Sequence, residues 1–175
     1  LPSTMNGGKD FCHWSPYDHQ LAASIGGLVE RILGRGGKGL VKAALGESLY
    51  EKGEDTYKVL SLLSRAQLET ENGGLPEIAF AAVGVRVRLM LLADDVEAAR
   101  DILAAFTAAV QEQNANQLLP NIQALQCRLA LYSGDAAGVA NWLNKAPNED
   151  KEFCVLERYR YLTKVRCYIA RGEHL

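Results

Sequence analysis

Four helix-ending turns of one kind recur at nearly equal spacing, and this recurrence limits the architecture more than any other feature of the chain. They read Lys52-Gly53-Glu54, Leu92-Ala93-Asp94, Ser133-Gly134-Asp135 and Arg171-Gly172-Glu173, and the turn positions 53, 93, 134 and 172 lie 40, 41 and 38 residues apart. A glycine there suits a left-handed helix C-cap, and the acidic residue behind it caps the next helix. A period of this size describes helical hairpins too small to bury their own apolar faces, stacked so that neighbours supply the missing cover.

Apolar residues spaced three and four apart run through nearly the whole chain, and no stretch alternates between apolar and polar residues across hairpin turns. Pro2, Pro16, Pro76, Pro120 and Pro147 all fall where a helix should begin or end. The pattern predicts helices at about 17–33, 40–52, 56–69, 76–92, 95–113, 119–132, 135–146 and 149–170. The expected fold is therefore all-α, with about eight helices paired as antiparallel hairpins in one domain over 1–175. An N-terminal segment with the first helix occupies 1–36, and repeats follow at about 37–72, 76–115, 118–147 and 148–175. The last of these stops where its second helix is due, which predicts a truncated unit of a larger protein.

The helix after each turn carries a spaced apolar set: Ala98, Ile102 and Ala105 in the second unit, and Val139, Leu143 and Ala146 in the third. The first unit gives Val59, Leu63 and Ala66 with a one-residue slip. Small outer residues admit a neighbouring helix closely, as in the second half of the tetratricopeptide pattern. The first half is matched by Leu45-Gly46 and Leu49, while Arg86 and Cys127 hold the later small positions. A right-handed superhelix of tetratricopeptide-like hairpins, an α-solenoid, is the architecture this predicts. In such an array the first helix of each hairpin lines the concave face. The register of the turns places Glu47, Tyr50, Val87, Met90, Arg128, Tyr132 and Arg166 there as candidate binding residues.

A formal charge of −2, with 48% apolar and 23% charged residues, fits a globular unit and gives no basic footprint for nucleic acid. Cys12, Cys127, Cys154 and Cys167 form no CxxC pair and read as small buried hydrophobes in a reducing, cytoplasmic setting. The opening residues lack the apolar core of a signal peptide, and the apolar run 78–92 is too short for a bilayer and holds Arg86 and Arg88.

Reactive constellations are sparse. Gly34-Arg35-Gly36-Gly37-Lys38-Gly39 lacks the Ser or Thr and the preceding strand of a phosphate loop, and reads as a glycine cap and connection. Cys12-His13 and His19 offer three soft ligands with no fourth at zinc spacing, so no metal or other cofactor is expected. Glu47, Glu51 and Glu54 belong to a solvated helix end, without the burial difference that would separate an acid from a base. Arg160, Lys164 and Arg171 form a basic stripe on the last helix, alternating with Tyr159, Tyr161 and Tyr168. It reads either as a surface for an acidic or phosphorylated ligand or as solvated cations beside packed tyrosines. Catalysis has no foothold in this pattern.

Several blocks resemble segments of LuxR-type transcriptional regulators: Asn6-Gly7-Gly8-Lys9-Asp10-Phe11, Gly36-Gly37-Lys38-Gly39-Leu40, Glu47-Ser48-Leu49-Tyr50-Glu51-Lys52-Gly53, and Glu157-Arg158-Tyr159-Arg160-Tyr161-Leu162-Thr163-Lys164. They look most like the helical-repeat region of the large ATP-dependent, MalT-like members. The resemblance implies a non-catalytic segment that senses a small-molecule inducer or a regulatory protein and controls self-association. ATP hydrolysis and DNA binding would belong to other modules. The alternative is a stand-alone scaffold that binds extended peptides.

Overall fold

The computed structural model describes residues 24–25, 27–29, 31–71, 73–146 and 158–172. Among them the backbone is helical and no strand occurs. Residues 27–29 and 31–33 are helical and run into a 3-10 turn at Gly34–Gly37. Among the described residues seven α-helices follow: α1 (Leu40–Glu51), α2 (Thr56–Glu71), α3 (Pro76–Leu92), α4 (Val96–Glu112), α5 (Leu119–Tyr132), α6 (Ala136–Leu143) and α7 (Arg158–Arg171). A second 3-10 turn, Asn116–Leu118, leads into α5. The expected start of the last helix near Glu149 lies outside the described residues. None of the described helices is long and apolar enough to cross a membrane.

Three of the connections combine a left-handed turn with an aspartate cap. Glu54 N donates to Leu49 O at 3.0 Å, Asp95 N to Met90 O at 2.9 Å and Asp135 N to Ala130 O at 2.8 Å. Each bond closes around one left-handed residue, Gly53, Asp94 or Gly134, with φ of 71°, 58° and 72°. An aspartate then caps the following helix. Asp55 accepts from Lys58 N, Asp95 from Ala98 N and Asp135 from Gly138 N, at 2.9, 3.0 and 2.9 Å. These three aspartates are 40 residues apart.

That register corrects the expected one. The second left-handed position is Asp94, not Ala93, so the pattern moves by one residue, about 100° around a helix. In α4 the buried set is Ala99, Leu103 and Phe106, in place of Ala98, Ile102 and Ala105. It corresponds at 40 residues to Val59, Leu63 and Ala66, all fully buried in α2 with no slip. In the third unit Val139 is buried, and Leu143 and Ala146 are half-buried.

Each helix packs on the next, and alternate helices α1, α3, α5 and α7 also touch in sequence. The core is correspondingly continuous. Leu49, Leu63, Ile78, Val85 and Leu89 join α1, α2 and α3, while Val83, Val87, Leu103, Phe106, Ile122 and Leu125 join α3, α4 and α5. Helix α3 therefore buries apolar residues on two faces, which is why its sequence is greasy nearly all round. Cys127, Val139 and Cys167 form a smaller cluster between α5, α6 and α7. Gly46 lets α1 lie close against α2: a Cβ there would lie 2.6 Å from Leu63 Cδ2. With the corrected register, Val87 rather than Arg86 takes the matching position in α3, and Cys127 takes it in α5.

Candidate functional site: a charged row across alternate helices

Six residues before Gly53, Asp94, Gly134 and Gly172, the left-handed residues that follow α1, α3, α5 and α7, stand Glu47, Arg88, Arg128 and Arg166. Equivalent positions on helices that pack in sequence make a row, and it carries one acid followed by three arginines.

The acidic end neutralises the first arginine. Arg88 Nη2 meets Glu47 Oε1 and its Nη1 meets Glu51 Oε1, each at 3.0 Å. Its guanidinium also lies 4.6 Å from the centre of the Tyr50 ring. Two carboxylates one helical turn apart thus grip a planar cation resting on an aromatic face.

Arg128 is held differently. Its Nε donates to Thr163 Oγ1 at 2.8 Å, and its guanidinium sits 4.2 Å above the Tyr159 ring. Thr163 is fully buried and its hydroxyl donates to Tyr159 O at 2.9 Å. Tyr159 in turn meets Phe80 edge-on at 5.3 Å, and Phe80 lies 6.4 Å from Phe106. The arginine is therefore fixed from the core outward, with little rotamer freedom left to lose on binding.

The electrostatics follow from this packing. Burial pushes the Arg128 guanidinium below its ordinary value; the Tyr159 phenol opposes that, while Arg166 and Arg88 add to it. Burial raises the Tyr159 phenol, and Arg128, Arg88 and Arg166 pull it back. Arg128 lies on the Tyr159 ring, and Arg88 and Arg166 act on the phenol through their charge. Among the described residues no carboxylate pairs with Arg128 or Arg166.

The expected concave-face residues separate into groups. Glu47 is exposed and paired, Tyr50 is half-buried beneath Arg88, Arg128 is half-buried on Tyr159, and Arg166 is exposed. Val87, expected in the groove, is fully buried in the α3–α4–α5 core. Met90 is half-buried and packs against both large core clusters. Tyr132 is exposed, and its hydroxyl reaches Asp94 Oδ1 at 3.4 Å. Partial loss of water and the Asp94 carboxylate push its phenol up. Arg88 is the residue the expected set omitted. The left-handed turn residue at Asp94, one position beyond Ala93, sets the register that finds it.

Other singled-out features take structural places. Gly36 O accepts from Leu75 N at 3.2 Å, and a Cβ on Gly39 would lie 2.5 Å from Ala66 O, so this glycine run is packed against α2 and the start of α3. The basic stripe of α7 is not uniformly solvated. Lys164 is buried with its Nζ 5.8 Å from the Tyr168 ring, Arg160 is half-buried, and Arg171 is exposed. Cys12, His13 and His19 lie outside the described residues. Among the described ones no three His, Cys, Asp or Glu side chains gather as metal ligands. Cys127 and Cys167 are free buried thiols with Sγ atoms 3.5 Å apart. Two surface depressions, of about 320 and 360 Å³, lie against α5 and α6 and include none of the row residues.

No protein family, curated relative or solved structure matches this chain.

Proposed function

We propose that the chain is a recognition segment, not a catalyst. Its hairpins stack as a right-handed, tetratricopeptide-like superhelix, and the first helices of the hairpins present the row Glu47, Arg88, Arg128 and Arg166 to a ligand or partner. The single observation behind this reading is the equivalence of those four positions relative to the left-handed turns. Equivalent positions on successive repeats face one surface, and that surface here carries preorganised charge. The sequence resemblance supports a finer proposal: this is the sensing part of a LuxR-type, MalT-like cytoplasmic regulator. There a small-molecule inducer or regulatory protein would bias self-association, while ATP and DNA are handled by other modules. A ligand shifts such an equilibrium only through different affinity for the two assembly states.

The test is titration of the chain with small metabolites and candidate regulatory proteins, read by thermal shift and by mass in solution. The proposal expects a binder that stabilises the fold and changes its assembly state. Consistent failure to bind either class counts against it.

A further inference from the structure

The row contains its own template for what it binds. At Arg88, an arginine on a tyrosine ring is gripped by two carboxylates, those of Glu47 and Glu51. At the equivalent position on α5, Arg128 also rests on a tyrosine ring, that of Tyr159, and its Nε is occupied by Thr163. Among the described residues, however, no carboxylate pairs with it. The helix packed against α5 contributes another cation, Arg166, one turn beyond the Thr163 that holds Arg128, and its charge disfavours that on Arg128. The terminal amino groups of Arg128 remain as fork donors, and an arginine fork matches an oxyanion in a bidentate way. Two cations that repel one another and have no carboxylate partner among the described residues are brought into balance by two negative charges arriving together.

We propose that Arg128 and Arg166, backed by Tyr159, form a binding site for a dianionic oxyanion group, of the kind carried by a phosphate monoester or by two adjacent carboxylates. The inference rests on the recognition reading and names the chemistry of its ligand. Thr163 and Tyr159 are positioning residues: they hold Arg128 and are not needed to touch the anion. Arg88 is already neutralised and contributes only its field.

Calorimetric titration of the full chain at low ionic strength tests this with inorganic phosphate, succinate and, as a monoanion control, acetate. Phosphate or succinate binds more tightly than acetate. Arg166→Gln, at an exposed position, weakens that binding about tenfold or more. Arg128→Gln does the same, and Arg100→Gln, which alters an exposed arginine 3.8 Å from Glu97, leaves it unchanged. Binding of phosphate alone assigns a phosphate ester, and binding of succinate alone assigns paired carboxylates. The site is overturned if neither dianion binds, or if Arg166→Gln behaves as Arg100→Gln does. An inducer or partner protein whose binding survives Arg166→Gln would sink this site while leaving the recognition reading intact. Loss of Arg128→Gln to misfolding leaves Arg166→Gln to decide.

Discussion

Replacing Gly46 with alanine opposes two effects of known size, and the structure says which one wins. In the interior of a helix, alanine is favoured over glycine by about 0.8–1.0 kcal/mol. On that ground alone Gly46→Ala would stabilise α1. The new Cβ, however, would lie 2.6 Å from Leu63 Cδ2 and 2.9 Å from its Cγ, against ordinary contacts of 3.4–4 Å. Leu63 is fully buried among α1, α2 and α3, where a close-packed interior yields only by displacing its neighbours. Overpacking of this kind costs about 1–3 kcal/mol, and two close contacts on a locked side chain place it toward the upper end. The net loss is therefore about 1–2 kcal/mol, a fall in Tm of about 2–8 °C for a chain of this length. Leu63→Ala alone costs about 2–5 kcal/mol through the cavity it leaves. In the double variant the methyl added at position 46 enters that cavity, so the combined loss falls short of the sum by about 1 kcal/mol. Urea unfolding of the two single variants and the double variant measures all three. A Gly46→Ala protein as stable as the parent, or strict additivity in the double variant, would refute the close-approach argument.

Removing one capping aspartate, as in Asp95→Ala, is expected to cost about 1 kcal/mol of unfolding free energy by urea titration, with Asp55→Ala and Asp135→Ala similar. Asp94→Gly relieves a left-handed non-glycine residue at φ 58° and should raise stability by about 0.5–1 kcal/mol; a lower Tm would contradict the strain. Burial above all, then the hydrogen bond and charge of Cys167, push the Cys127 thiol up to about 12 against the pull of Arg128. The folded protein therefore keeps a proton that unfolded thiols release from about pH 8.5. This contribution is constant below that pH and is lost as pH rises toward 12, because the native state then binds more protons than the unfolded one. The urea midpoint should fall between pH 7 and pH 10 by more than it does in Cys127→Ala, and equal falls would show that the thiol is not the cause.

The helices were legible because their limits rest on local chemistry. Pro76 opens α3, Asp95 and Asp135 cap α4 and α6, and Gly53 and Gly134 close α1 and α5. The register between repeats was less legible, for one physical reason. Asp94 adopts a conformation usually left to glycine, so a turn without a glycine reads one residue early. That single step exchanged Ala99, Leu103 and Phe106 for their neighbours, and it put buried Val87 into the groove in place of Arg88. The aromatic chain Phe106–Phe80–Tyr159 beneath Arg128 joins α4, α3 and α7. No spacing within one helix announces such a contact, because it is made only when distant helices pack.

Side-chain NMR of the arginine Nε–H groups, followed while phosphate or succinate is added, tests most directly the claim that the repeat register builds one charged row with an open cationic end. The Arg128 and Arg166 signals should move together and saturate, while Arg88, already held by Glu47 and Glu51, stays nearly still. Shifts spread evenly over the exposed arginines, or confined to Arg88, would contradict it.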